Sequence, residues 1–236
     1  MNRVEKATLQ LRAVEILRAR KESLTYDELA AETGLPAGDL NRYVNGHVLP
    51  GVDRAREVVA GFGRELITGE LNARLRTDEE GYVDNTDLVF DQTLLDAAAV
   101  VVAEDAGFDR PDVVLTAATD GITFASAVAR YYGARTAYAK KSRETAVEEF
   151  IETRQRVTPG IELTYSLPAS AIDAGERVLV VDDIVRSGET QCLLLDIAEQ
   201  VDAEVVGAAV LVAADSEGIE TVREATEAPV VSLTST

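Results

Sequence analysis

Asp182 and Asp183 stand side by side in the stretch Val178–Thr190, which reads VLVVDDIVRSGET. Val178–Val181 is a four-residue apolar run of the kind that fills a strand buried on both faces. After the acids comes a loop, Ile184–Thr190, with Ser187, Gly188 and Thr190, and then an amphipathic helix over Gln191–Val201. Backbone N–H groups and hydroxyls at such a helix start can hold a phosphate dianion. Carboxylates one step upstream can accept hydrogen bonds from a ribose diol. The chemistry within reach is therefore recognition of a sugar phosphate. A bland alternative is an α/β strand that ends in two acids because the chain is rich in acids. The order strand, diacid, loop, helix argues against it.

The elements that would position this stretch alternate between strand and helix. Asp112–Thr116 reads as a buried strand, Ala117–Gly121 as a turn and Ile122–Tyr132 as a helix. Arg135–Ala139 is a second strand, closed by Lys140-Lys141, which hold half of the lysines of the chain. A charged segment, Ser142–Gly160, precedes strands at Glu162–Leu167, Arg177–Val181, Glu204–Ala213 and Val230–Thr236. Leu94–Ala106 is an apolar helix ended by Gly107. Alternating strands and helices predict an α/β class with a mostly parallel sheet.

The front of the chain is helical. Val4–Arg20 carries a broad apolar side through Val4, Leu9, Leu11, Val14, Ile16 and Leu17. Thr25 reads as a helix cap with Glu28 as its capping-box partner. The helix Tyr26–Glu32 ends at Thr33-Gly34, and Ala37–Asn45 closes at Gly46. Val52–Leu75 continues helically, interrupted by Gly61 and Gly63. Thr77–Asp87 is acidic and turn-rich and reads as a junction. The predicted organisation is residues 1–76, a linker over 77–92, and an α/β domain over 93–236.

Among 236 residues the formal charge is −19, and only four of the 23 basic residues are lysine. Acid excess with few lysines reads as the solubility chemistry of a salt-loving organism rather than as a partner signal. Residues 1–76 nevertheless hold 12 basic and 11 acidic side chains, so the front escapes the acidic surface, as a segment facing a polyanion must. Cys192 is the single cysteine and His47 the single histidine, which leaves no internal disulfide and no Cys/His metal cluster. With no signal-peptide pattern and no long apolar run, the expectation is a soluble, cytoplasmic protein.

VLVVDDIVRSGET resembles the phosphoribosyl-pyrophosphate (PRPP) signature of type I phosphoribosyltransferases. The resemblance implies that fold and carries Asp182 and Asp183 onto the ribose hydroxyls. It carries Arg186, Ser187, Gly188, Glu189 and Thr190 onto the 5′-phosphate loop. Arg186 stands where a small residue is usual, and Glu189 where glycine is common and should point away from the phosphate. By the same resemblance Ala118, Thr119, Asp120 and Gly121 form the pyrophosphate loop, and Lys140 and Lys141 reach the pyrophosphate. Ser142–Gly160 is then a mobile flap with Arg143, Arg154 and Arg156 as phosphate arms, and Val230–Thr236 part of a small hood. No cofactor is obligatory and no metal is held by protein side chains alone; Mg2+ can accompany PRPP.

The pattern LTYDELAAETGLPAGDLNRYVNG resembles the helix-turn-helix of phage-repressor-like domains. Leu29, Ala30, Leu40 and Val44 face inward, and Gly34 permits the tight crossing. The second helix would enter the major groove. Asn41 and Arg42 can then read base edges; Ala37 and Asn45 lie on the outward side; Thr25, Tyr43, His47, Arg54 and Arg56 suit phosphates. In plan the chain is similar to bacterial purine-operon repressors, and most closely to glucose/fructose catabolism regulators of haloarchaea. That resemblance implies a homodimeric, DNA-binding regulator of sugar-catabolic genes whose transferase fold senses PRPP or a related phosphorylated metabolite. An active orotate- or purine-type phosphoribosyltransferase is the alternative, although the charged segment lacks the Lys-x-His-Gly pattern of orotate enzymes.

Overall fold

The structure, a computed structural model, describes residues 1–79, 82–143, 145–158 and 161–236, with side chains except at 155–158 and 161. Two compact units result, Met1–Asp105 and Ala106–Thr236. The expected linker over 77–92 falls inside the first unit.

The first unit opens with α1 (Arg3–Lys21), α2 (Tyr26–Thr33) and α3 (Ala37–Val44). Thr25 caps α2, and its capping box with Glu28 is complete. Gly34 ends α2 in the left-handed conformation at φ 68°, where a side chain would be strained. Leu29, Leu35 and Leu40 are buried between α1, α2 and α3, so two short helices that could not stand alone are held by packing. Ala30 and Val44, expected inside, are half-buried.

Val52–Arg74 is helical throughout. It comprises α4 (Val52–Arg56), a π-helical turn over Glu57–Phe62 and α5 (Gly63–Arg74). The two glycines therefore do not break the helix. A Cβ on Gly63 would lie 3.2 Å from Ile16 Cδ1, so Gly63 serves close packing against α1. A two-residue hairpin of β1 (Arg76–Thr77) and β2 (Val83–Asp84) leads to α6 (Thr86–Val89) and α7 (Gln92–Ala106).

A charge network lies within this unit. Glu70 is fully buried and accepts from Arg20 at 3.3 Å, Ser23 Oγ at 2.8 Å and Arg74 at 2.6 Å. Arg20 also holds Glu32 of α2 at 2.6 Å, and Arg74 holds Asp91 at 2.6 Å. A Cβ on Gly69 would sit 3.1 Å from the Arg20 guanidinium, so this glycine gives the arginine room to cross α5.

The second unit is built on a five-stranded parallel sheet in the order β4-β3-β7-β8-β9. Its strands are β3 (Val113–Ala117), β4 (Arg135–Ala139), β7 (Arg177–Val185), β8 (Glu204–Ala213) and β9 (Val230–Ser235). Helix α8 (Gly121–Tyr132) packs on β3 and β7, while α9 (Glu189–Gln200) and α10 (Ser216–Glu224) follow β7 and β8. Val113, Leu115, Val178 and Val180 are buried together, as continuous apolar strands of a covered sheet must be.

Three sequence expectations are corrected. First, β7 runs on to Val185, because Ile184 and Val185 pair with Val212 and Ala213 of β8. Both acids therefore lie in the strand, and α9 starts at Glu189. Second, the charged segment holds a strand that the sequence reading omits: β5 (Phe150–Thr158) pairs antiparallel with β6 (Ile161–Pro168). Ile151, Thr153, Val157 and Thr158 give β5 the β-branched content of a strand, which its charges disguise. Third, Val230–Ser235 is no hood; it pairs in parallel with β8 as the far edge of the main sheet.

Candidate functional site

Strand order reverses between β3 and β7: β3 leads on to β4 on one side, whereas β7 leads on to β8 on the other. Ligands of open α/β sheets bind in the crevice at the carboxyl ends of the strands at such a point. The pairing of β3 with β7 runs from Val113↔Val178 to Leu115↔Val180, whereas β7 remains paired with β8 as far as Val185. The two strands thus open beyond Val180, and Asp182 and Asp183 lie where the crevice begins.

Both carboxylates are buried. Gln191 Nε2 donates to Asp182 Oδ2 at 2.7 Å and to the Ile184 carbonyl at 3.3 Å, and the Asp183 N–H donates to Asp182 Oδ1 at 3.2 Å. Burial, and next the charge of Asp183, push the Asp182 carboxyl well above the usual carboxylate range.

The loop after β3 closes on this pair. A Cβ on Gly121 would fall 2.2 Å from Asp182 Oδ1 and 2.5 Å from Thr116 Oγ1, so only glycine fits there. Ala118 donates its N–H to the Ala139 carbonyl at 2.9 Å, which ties the loop to the end of β4 beside Lys140. The Ala118–Thr119 peptide bond is cis. Thr119 and Asp120 are exposed, and Ala118 is half-buried.

The loop after β7 is short: Arg186, Ser187 and Gly188. Gly188 adopts φ 78° as the cap of α9, and Ser187 Oγ accepts from the Glu189 N–H at 3.4 Å. The backbone amides at this helix start suit an anion. The loop is clamped by α10: a Cβ on Gly218 would lie 1.8 Å from the Arg186 carbonyl oxygen, and one on Gly188 would lie 2.5 Å from the Gly218 carbonyl oxygen. Arg186, Ser187 and Glu189 are exposed, and Thr190 is half-buried. Cys192 packs under the clamp, 3.9 Å from the Thr221 carbonyl, and burial pushes its thiol up.

Lys140 and Lys141 each lie over a tyrosine, Nζ being 5.0 Å from the Tyr138 ring centre and 5.3 Å from that of Tyr165. Arg143 is paired with Glu152 at 2.6 Å, and Ser166 Oγ also donates to Glu152, which holds that carboxyl down at about 2. Arg154 approaches Glu162 at 3.9 Å, and the side chain of Arg156 lies outside the described residues.

Sequence reasoning missed Gln191, Gly218, Thr116 and Thr221. A glycine inside the short helix Ser216–Glu224 is a legible sign of close approach; nothing local marks Gln191. Among the described residues no three His, Cys, Asp or Glu side chains could together hold a metal ion. Two adjacent buried acids would suit the hydroxyls of a sugar phosphate, and Mg2+ accompanying such a ligand would supply neutralising charge there.

In the first unit Asn41, Arg42 and His47 are exposed, Arg42 lying 3.7 Å from Asp39. Ala37 and Tyr43 are half-buried and Thr25 is exposed. Asn45 is not turned wholly outward: its Nδ2 donates to Tyr26 Oη at 3.0 Å, under Lys21. Arg18 Nε donates to the Val44 carbonyl at 2.7 Å and fixes the end of α3. Arg54 and Arg56 pair with Glu57 and Asp53 on the surface.

Residues 93–229 match the phosphoribosyl transferase domain model. The chain belongs to this family. Xanthine phosphoribosyltransferase of Lactobacillus delbrueckii is 36% identical over 111 residues, 46% of this chain and 57% of that protein. The purine biosynthesis transcriptional repressor PurR of Bacillus subtilis is 28% identical over 167 residues, 70% of this chain and 56% of that protein. The chain thus spans a little over half the length of these relatives. The PurR match is longer than the second unit and reaches into the first. Among solved structures, adenine phosphoribosyltransferases of Giardia lamblia and Thermoanaerobacter pseudethanolicus share the fold at TM-scores of 0.62 and 0.61. They are 15% and 17% identical, and the matches cover 72% of this chain and 97% and 99% of theirs. No helix of the described residues is long and apolar enough to cross a membrane.

Proposed function

We propose that the protein is a DNA-binding transcription regulator whose phosphoribosyltransferase-like domain senses PRPP or a related phosphorylated metabolite. One observation carries this reading: a capped helix-turn-helix with exposed Asn41 and Arg42 shares a chain with the buried diacid and its two loops. The match to the PurR repressor, which extends into the front unit, supports it. In this division of labour residues 1–76 contact promoter DNA, 77–92 connect, and 93–236 bind the ligand.

Asp182 and Asp183 would take the ribose hydroxyls, the Arg186–Thr190 amides the 5′-phosphate, and Ala118–Gly121 with Lys140 and Lys141 the pyrophosphate. Mg2+ would accompany the ligand. A homodimer would present two recognition helices about one duplex turn, roughly 34 Å, apart. The resemblance to haloarchaeal regulators makes sugar-catabolic promoters the first targets to test and purine promoters the second.

A second reading, an active phosphoribosyltransferase, is favoured by the intact diacid and by the similarity to xanthine phosphoribosyltransferase. One experiment separates them. Promoter-fragment binding is titrated with and without PRPP–Mg2+ at fixed salt, and PRPP turnover is assayed with xanthine, adenine and orotate. A PRPP-dependent change in operator affinity, with no turnover, supports the regulator. Turnover without specific DNA binding overturns it.

A further inference from the structure

Gln191 occupies the third position of α9, whose cap is Gly188. A glutamine at this position commonly reaches back to the start of its own helix, as the partner in a capping box. Here the side chain reaches across to β7 instead. Its Nε2 donates to Asp182 Oδ2 at 2.7 Å and to the Ile184 carbonyl at 3.3 Å. Both groups are acceptors, so they fix which end of the amide faces the strand. Both hydrogens of that nitrogen are thereby used inside the protein, and Gln191 is buried.

Asp182 is gripped from the other side as well. Its Oδ1 accepts the Asp183 N–H at 3.2 Å. The same oxygen faces Gly121 so closely that a Cβ there would lie 2.2 Å away. The carboxylate is thus fixed between the start of α8 and the first turn of α9. Each carboxylate oxygen has two lone pairs, so these bonds leave capacity for hydroxyl donors that approach from a set direction. The amide holds the acid without bringing a counter-charge. Lysine or arginine in its place would pair with Asp182 and compete with whatever the site binds. Turned toward β7, Gln191 also leaves the α9 start without a glutamine cap, which suits an anion there.

We propose, building on the sugar-phosphate reading of this site, that Gln191 is a positioning residue for a vicinal diol. It aims Asp182 at the two hydroxyls and so sets a preference for ribose over 2-deoxyribose phosphates. It acts through Asp182 rather than by contact with the sugar.

The full-length protein is titrated by calorimetry with ribose 5-phosphate and with 2-deoxyribose 5-phosphate. The two share the phosphate and differ by one hydroxyl, so the ratio of their affinities isolates the diol. Wild type prefers the ribose form about tenfold, the lower end of what a hydrogen bond to a charged group contributes. Gln191→Met, which keeps the length and removes both donors, lowers the preference to about twofold or less. Gln191→Glu, similar in shape but without an N–H, does the same. A merely structural role would weaken both sugars alike and leave the ratio as in wild type. In case the variants fold poorly, the side-chain amide of Gln191 in the wild type is followed by NMR. Its resonances shift as ribose 5-phosphate saturates the site, and shift less with the 2-deoxy form. A wild type that binds neither sugar, or both equally, overturns the sugar-phosphate reading and this role together. A wild type that prefers ribose overturns the role alone if the variants keep that preference, if they lose both sugars to the same extent, or if the Gln191 amide does not move.

Discussion

Replacing Gly121 by alanine tests the point where the two loops of the site touch. The added methyl carbon would lie 2.2 Å from Asp182 Oδ1 and 2.5 Å from Thr116 Oγ1, where contacts below 3.0 Å essentially never occur. Asp182 cannot easily retreat, since Gln191 Nε2 holds it at 2.7 Å and the Asp183 N–H at 3.2 Å. Thr116 belongs to β3 and is fully buried. The start of α8 must therefore move, and overpacking of this kind costs about 1–3 kcal/mol. Urea denaturation of Gly121→Ala should show a lower midpoint at unchanged slope. In an Asp182→Ala background one of the two clashes is gone, so the same substitution should cost less, with a coupling of at least ~0.5 kcal/mol. PRPP affinity should fall in the single variant, because the displaced turn is the proposed pyrophosphate loop. An equal cost in both backgrounds, or a cost under about 0.5 kcal/mol, would refute the contact.

Gly218→Ala should disturb the Arg186–Gly188 loop from behind, and PRPP binding measured by calorimetry should weaken. Asp182 has a raised folded-state pKa. Its contribution to stability is therefore complete below the ordinary value of 3.8 and is lost as pH rises through the raised one. Asp182→Asn should accordingly gain stability relative to wild type as pH rises, a trend that paired thermal melts across pH would expose. Glu70→Gln leaves Arg20 and Arg74 without their buried counter-charge and should lower stability by about 3–5 kcal/mol, read by chemical denaturation. Arg42→Ala should lower affinity for a specific operator by about 1–3 kcal/mol, while Arg54→Ala or Arg56→Ala should weaken all sequences alike and flatten the salt slope in a mobility-shift titration.

How much of this could be read from the chain depends on whether the signal is local. The capping box at Thr25, the stop at Gly34 and the span of α3 are local chemistry, and each lies within a residue or so of its expected place. The apolar run before the diacid marks β7, but the run itself stops at Val181. Only pairing with β8 explains why the strand runs to Val185. Strand β5 has the β-branched residues of a strand, but its interleaved charges mask the pattern and the pairing with β6 reveals it. Gln191 holds Asp182 from nine positions away, and the Glu70 network joins residues up to 50 apart. Such contacts exist only once the chain has folded, so no spacing rule announces them.

The ion pairs of the first unit fall into two classes with different fates in concentrated brine. Arg54–Glu57 and Arg56–Asp53 are surface pairs one helical turn apart. At 1 M salt the screening length is about 3 Å, so pairs of this kind lose most of their attraction. The carboxyl of Glu70 lies out of reach of dissolved ions, and its bonds to Arg20, Ser23 and Arg74 are screened far less. Rising salinity would thus leave the helical scaffold assembled while it releases Arg54 and Arg56 from their neighbours. The same ions that weaken phosphate contacts would then set free the side chains proposed to make them. The net dependence of DNA binding on salt should be shallower than the count of exposed arginines implies.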